Sequence, residues 1–428
     1  MSLSGISNRL TSSPALRSIG TMGLASAIGQ VAILATTPLV TRLYAPSEFG
    51  AFALLTSFSG IATVAACLCL DLAIVQGADD AEADELFAAA LRSLPVTALA
   101  SALVLIALIR FRLFGFENLS LASIPIAVSL VVANGLYLAS RYRQLRENRF
   151  NLIASATMFQ NFGRAVAPLG WYPVSSGWIG LALGELTGRL IGTRALLAPI
   201  VHSAWRNAAF RTHVSWWRVV KREWRYTGVL LTSVLIDTSS SLIIAPMLAS
   251  SYTTAVAGEY YMITTLLNAP LALVGRAFAD VIHARSAHLV LVAPAALPGF
   301  VRRSAAALLF VGALIYLPIY MLAPTLFPLV FGHKWHLIVP ITRALTPFMI
   351  MAFVASPCSR VLIAVRHTGV KMVSDVTRLI GAPLTIVLSS QLRMPFETAI
   401  FWLGMFLTAA YALYFAAEYL SAVYIGKR

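Results

Sequence analysis

Twelve apolar stretches follow one another along this chain, each long enough to cross a bilayer as a helix, with short polar breaks between them. A helix rises about 1.5 Å per residue and the hydrocarbon layer is about 30 Å thick, so one crossing takes roughly 20 apolar residues. Runs of that length fall at about 20–41, 49–75, 87–109, 119–140, 151–171, 177–198, 228–247, 256–279, 303–326, 339–363, 370–390 and 397–420. They use nearly all of the 428 residues and leave no room for a soluble domain of ordinary size. The sequence therefore predicts an all-α, polytopic membrane protein of about twelve transmembrane helices. Only 11% of residues are charged and 59% are hydrophobic. A water-facing fold carries roughly a quarter charged residues and would expose apolar patches if built from this chain.

The remaining charges set the orientation. The formal charge is +15, which in a soluble chain would suggest a nucleic-acid partner. Here the basic residues lie mostly in short loops between apolar runs, so no nucleic-acid partner is expected. With the N-terminus inside, inner segments hold 20 Lys and Arg and outer loops hold 5. That bias predicts an inner-membrane protein with both termini in the cytoplasm. The acidic loop Asp79, Asp80, Glu82, Asp84, Glu85 is the one contrary segment, and acidic residues weigh little in the rule. Trp171, Trp178, Trp335 and Trp402 fall near outer ends, where amphipathic rings prefer the headgroup level. Trp205, Trp216, Trp217 and Trp224 alternate with basic residues over 203–226, as in a helix lying in the inner interface.

That polar stretch falls at the midpoint, which predicts two six-helix halves. Residues 1–200 form an N-lobe of helices 1–6, residues 201–226 a cytoplasmic interfacial linker, and residues 227–428 a C-lobe of helices 7–12. An internal echo agrees with a duplication. Helix 2 opens with Gly50-Ala-Phe-Ala-Leu-Leu-Thr56 and helix 8 with Gly258-Glu-Tyr-Tyr-Met-Ile-Thr264, an offset of 208 residues. Both helices would run from outside to inside, so the repeat is parallel, with its axis along the membrane normal.

An ionisable side chain inside a spanning helix costs roughly 2.5–3.5 kcal/mol, so each one requires a partner, a wet cavity or a task. Seven arginines stand in this position: Arg92, Arg164, Arg189, Arg276, Arg343, Arg360 and Arg378. A guanidinium stays charged and grips phosphate oxygens bidentately. Arg92, Arg276, Arg360 and Arg378 are therefore candidates for binding an anionic headgroup from the cytoplasmic side. For Arg92, Arg276 and Arg360 the alternative is that they snorkel to the inner headgroups. Arg164 lies past the middle of its helix, too deep to snorkel easily, and Gln160, Asn161 and Pro168 share its face; that suggests a wet interior and makes Arg164 the foremost candidate for binding the anionic substrate. Glu185 and Arg189 stand four apart beside a glycine column, Gly180, Gly184, Gly188 and Gly192, and read as a structural pair at a close helix contact. Lys371, Asp375 and Arg378 are spaced to neutralise one another.

Asp237 opens the most polar mid-helix run, Asp237-Thr-Ser-Ser-Ser241. It is a candidate for a coupling H⁺ or Na⁺ or for sugar hydroxyls, the alternative being a helix–helix hydrogen bond. Gln30 and Asn268 are further candidate cavity residues. Cys67, Cys69 and Cys358 lie in apolar runs without redox or zinc spacing, and His333 with His336 lacks an acidic partner. No catalytic constellation, metal cluster or phosphate loop is present in the sequence, so neither an enzyme nor a cofactor is expected.

Several of these segments resemble a known family. Pro38-Leu-Val-Thr-Arg-Leu-Tyr-Ala-Pro-Ser-Glu-Phe-Gly50 resembles the helix 1–2 signature of bacterial polysaccharide flippases. Leu70-Asp-Leu-Ala-Ile74 before an acidic loop, Gly258–Tyr261 with Pro270, and Phe331-Gly-His-Lys-Trp335 are similar to later patterns of the same proteins, in order along nearly the whole chain. The family is the Wzx-type branch of the multidrug/oligosaccharidyl-lipid/polysaccharide (MOP) exporter superfamily. The resemblance implies two six-helix lobes around a central cavity lined by helices 1, 2, 7 and 8. It implies a polyprenyl-pyrophosphate-linked oligosaccharide as cargo, turned from the inner to the outer leaflet for O-antigen, capsule or exopolysaccharide synthesis. Membrane lipids, the polysaccharide polymerase and the export machinery are the implied partners. The chain departs from the family pattern at Thr264 and Thr265, where members often carry a basic residue. A drug/cation antiporter of the same superfamily is opposed by the intramembrane arginines. A polymerase or ligase is opposed by outer loops of only about a dozen residues.

Overall fold

The computed structural model describes residues 14–206, 215–365, 367 and 369–427, with side chains from 22 to 200 and from 215 onward. Every regular element among them is helical. The long helices are α1 (Pro14–Leu43), α2 (Pro46–Ala66), α3 (Asp80–Arg110), α4 (Ser123–Arg146), α5 (Phe150–Trp171) and α6 (Trp178–Arg206). There follow α7 (Arg225–Leu242 and Ile244–Ser251, joined at a 42° bend), α8 (Thr254–Val292), α9 (Leu297–Phe331), α10 (Ile338–Ala364), α11 (Gly369–Gln391) and α12 (Phe396–Gly426). Among the described residues nine are long and apolar enough to cross a membrane, ten with the bent α7. α5 and α6 are long enough, but the polar residues noted above keep them out of that group. With them, the long helices among the described residues number twelve.

Two boundaries and one side chain differ from the sequence expectation. The second run does not form one span to residue 75: α2 ends at Ala66, Leu68 and Cys69 take φ of 52° and 57°, and a short helix restarts at Leu70–Ala73. Hydropathy continues through this break because it carries no information about backbone handedness. The inner loop expected between the eighth and ninth runs is largely helical, since α8 continues to Val292 and α9 begins at Leu297. Trp335, expected near an outer end, is buried edge-on to Phe49 with ring centroids 5.1 Å apart and beside Phe331, just past Gly332, whose φ of 84° ends α9.

The chain forms two compact units. The first holds the described residues up to Tyr44, Leu55–Leu113 and Glu117–Leu235; the second holds Ala45–Leu54, Phe114–Phe116 and Ile236 onward. In the first, α5 packs between α1 and α6. Small residues permit this, as they must where lipid supplies no hydrophobic drive between helices. A Cβ at Gly188 would lie 2.5 Å from the backbone nitrogen of Arg164, one at Gly184 2.7 Å from that of Pro168, and one at Gly29 2.5 Å from Asn161 Cβ.

The acidic loop of this unit is neutralised locally. Asp79 and Glu82 cap α3 reciprocally: Asp79 accepts from Glu82 N at 2.8 Å, and Glu82 accepts from Ala78 N at 2.6 Å. Arg143 meets Asp84 at 2.9 Å, Arg146 meets Asp80 at 3.3 Å, and Arg222 meets Glu85 at 3.3 Å and Glu82 at 3.6 Å. The short helix Trp216–Arg222 sits here, its Trp216 indole donating to Ser93 Oγ at 3.0 Å. Trp205 and Arg211 of the expected interfacial helix lie outside the described side chains.

In the second unit α10 is the central element, packed by α8, α9 and α12 around Leu345, Met349, Phe353, Tyr316 and Leu403. The start of α2 also belongs to it and meets the start of α8. A Cβ on Gly50 would overlap the carbonyl oxygen of Thr254, and one on Gly258 would overlap that of Pro46. Residues 46 and 50 stand 208 positions before 254 and 258, so each contact mirrors the other, as a two-fold relation requires. Large apolar side chains on the outer faces, such as Phe310 at 70% exposure, Met321 at 72% and Leu413 at 71%, would be costly in water and are suited to lipid.

A charged cavity in the second unit

Two prolines open the wall of a cavity in the second unit. Pro270 has no N–H to continue the α-ladder, and α8 adapts through a π-turn at Leu271–Gly275. Pro357 precedes a break in α10 at Ser359, after which the helix resumes at Arg360. Leu271, Ala272, Gly275, Pro357 and Ser359 all line a cavity of about 570 Å³. The irregular turns bring Arg276 and Arg360 to its edge, both exposed. α7 contributes Asp237, α8 Asn268, α11 Lys371, Asp375 and Arg378, and α12 Tyr411 and Tyr414.

Four basic side chains face this space against two acidic ones, a surplus of two positive charges. The acids are held as follows. Asp375, only 2% exposed, binds Lys371 Nζ at 2.7 Å and Arg378 through Nη2. These are i,i+4 and i,i+3 pairs along α11. Asp237, 46% exposed, reaches across from α7 to Lys371 at 3.1 Å and to Arg378 at 3.7 Å. Arg378 also donates to the Tyr411 hydroxyl at 2.8 Å and lies 4.8 Å from the ring centroid, a cation–π contact. Its Nε, buried, has no acceptor among the described residues. Asn268 donates to the Thr264 carbonyl at 2.8 Å, and Thr264 and Thr265 direct their hydroxyls to backbone carbonyls of their own helix.

Five of the eight residues singled out from the sequence thus share one cavity: Arg276, Arg360, Arg378, Asp237 and Asn268. The other three lie in the first unit. Arg164 donates from Nε to Glu185 at 2.6 Å, and Arg189 holds the second oxygen of the same carboxylate at 2.9 Å. On the same helix Asn161 packs against Gly29 of α1 and Gln160 against Gly192 of α6, while the Arg164 side chain stays 27% exposed. Arg92 is exposed on α3 and Gln30 half-buried on α1. Helices 7 and 8 line this cavity together with α10, α11 and α12; helices 1 and 2, which the resemblance also implied for a central cavity, contribute no residue to it. Lys371, Tyr411 and Tyr414 were not among the sequence candidates. The i,i+4 and i,i+3 spacing on α11 was visible, but it read as self-neutralising. Tyr411 and Tyr414 carry no sequence signal beyond an aromatic pair.

An apolar groove of about 550 Å³, lined by Val370, Val373, Thr377, Ala410 and Leu413, lies between α11 and α12 and shares Tyr414 with the charged cavity. Among the described residues no group of three His, Cys, Asp or Glu is placed to hold a metal ion.

The fold is shared with transporters of known structure. The lipid II flippase MurJ in an inward closed conformation matches with a TM-score of 0.73 at 12% identity, over 94% of this chain and 90% of that one. An inward-facing multidrug resistance MATE family transporter of the MOP superfamily matches with a TM-score of 0.60 at 15% identity, over 95% of both chains. A MATE protein in complex with MaL6 gives 0.61 at 16% identity, over 96% and 97%. At such identities the likeness is one of fold. Comparison with curated proteins finds no match. A family model described as "Polysaccharide biosynthesis protein" matches residues 39–340, about 70% of the chain. The chain is a multi-pass, all-α membrane protein with the MOP-superfamily fold, and it belongs to the polysaccharide biosynthesis protein family.

Proposed function

We propose that this protein translocates a polyprenyl-pyrophosphate-linked oligosaccharide from the inner to the outer leaflet of the inner membrane, for O-antigen, capsule or exopolysaccharide synthesis. The observation that carries the reading is the positive surplus of the cavity in the second unit, set in helices long and apolar enough to span. Uncompensated charge at such a site is expensive unless a ligand or water meets it. Arg276 and Arg360 offer exposed donors, and Arg378 Nε awaits an acceptor. A diphosphate supplies oxygens in the bidentate geometry that guanidiniums favour. The apolar groove that shares Tyr414 suits a hydrocarbon chain beside such a headgroup. Membership of a polysaccharide biosynthesis family supports the glycan part of the cargo.

In this reading residues 1–200 and 227–428 act as two six-helix lobes that rock about the linker, both termini lie in the cytoplasm, and no covalent step occurs. The fold likeness to MATE transporters favours a second reading, antiport of a cationic drug, against which the surplus of positive charge counts. Reconstitution in vesicles separates the readings. A fluorescent lipid-linked diphosphate oligosaccharide should change leaflet without covalent change. Export of cationic dyes with no lipid translocation would favour the antiporter, and bond formation between glycan units would mark an enzyme.

A further inference from the structure

We infer that Asp237 is a resident counter-anion of the charged cavity, displaced when a phosphate-bearing headgroup arrives; this rests on the reading of the cavity as a phosphate site. The two acids of the cavity are unlike. Asp375 is buried and belongs to the same helix as both of its partners, so it is a fixed part of α11. Asp237 comes from another helix, is half-exposed, and holds Lys371 and Arg378 at the longer distances of 3.1 and 3.7 Å. The Asp237–Lys371 pair, with side chains 46% and 43% exposed, is worth little in net terms, so it can be exchanged for another anion. Its helix is also irregular on both sides of Asp237. α7 begins with a π-turn at Arg225–Leu230 and bends by 42° before Ile244. The Ser240 hydroxyl donates to the Asp237 carbonyl at 2.7 Å, leaving the carboxylate as the part that crosses the gap.

The charges fit an exchange. With Asp237 in place the cavity carries a surplus of two positive charges; with Asp237 withdrawn it carries three. Lys371 then turns its ammonium from a carboxylate to a phosphate oxygen, and the ionic tie between α7 and α11 is released. Asp237 thus sets the threshold for cargo, since a ligand must outcompete a carboxylate to enter. A sugar without a phosphate cannot do so. The arrangement also fills the place in which a coupling cation would sit beside Asp237, because an ammonium and a guanidinium already occupy it.

The test is calorimetric binding of inorganic pyrophosphate to the full chain in lipid nanodiscs. Asp237→Asn and Asp237→Ser should bind pyrophosphate roughly threefold to tenfold more tightly than the unaltered protein. The gain should vanish when Lys371 is also changed to Gln, because the competition is over that ammonium. Affinity unchanged or weakened in both single variants, with folding confirmed by thermal unfolding, would overturn the inference while leaving the phosphate site standing. Absence of binding in every protein, the unaltered one included, would overturn both.

Discussion

Glu185 sits between two guanidiniums, 11% exposed, and Arg164 and Arg189 each take one of its oxygens. Changing it to Gln leaves two like charges facing each other in a poorly solvated place, and breaking a buried pair of this kind costs about 3–5 kcal/mol. Glu185→Gln should lower the unfolding midpoint in detergent by far more than Arg343→Gln, whose guanidinium is exposed and stacks on Tyr320. Equal midpoints would show that the Arg164 group is not structural. Glu259 has a different task. Fully buried, it accepts from Leu337 N at 2.8 Å and so caps the start of α10. Glu259→Ala should cost about 1–2 kcal/mol by the same measurement. The depth of Arg164 in α5 is legible in the sequence and its partner is not: Glu185 stands 21 residues away on α6. A position along one helix does not say which neighbouring helix it faces.

Between elements, the spacing of small residues was the most legible signal. The glycine column of α6 marked its contact with α5 correctly, since every-fourth-residue periodicity fixes a helix face without knowledge of the partner. Gly188→Ala should destabilise by about 1–3 kcal/mol through overpacking against Arg164. Gly170→Ala, with nothing within 4 Å of the added methyl, should be neutral or slightly stabilising. A comparable loss at both positions would contradict the packing described. The apolar runs gave the twelve helices because bilayer thickness imposes one length on all of them. They did not give the break at Leu68 and Cys69 or the π-turn after Pro270, where the change is in backbone geometry and hydropathy stays the same. The cavity depends on those irregular turns, so its wall was harder to read than its charges.

For the whole molecule, the proposed function has a surplus of fixed positive charge within spanning helices receive an anionic headgroup. Outward movement of about two negative charges across an inside-negative membrane gains about 4–5 kcal/mol per 100 mV. Translocation in vesicles should therefore accelerate as the potential is made more negative on the side of cargo entry. A rate indifferent to potential would require another energy source. The most direct measurement compares the translocation rate of a lipid-linked diphosphate oligosaccharide by the unaltered protein, by Arg276→Gln/Arg360→Gln and by Arg164→Gln, each at equal folded amount. The account predicts a loss of about tenfold or more in the double variant and a rate near that of the unaltered protein for Arg164→Gln. Full activity in the double variant, with loss in Arg164→Gln, would contradict it and return the site to the first unit.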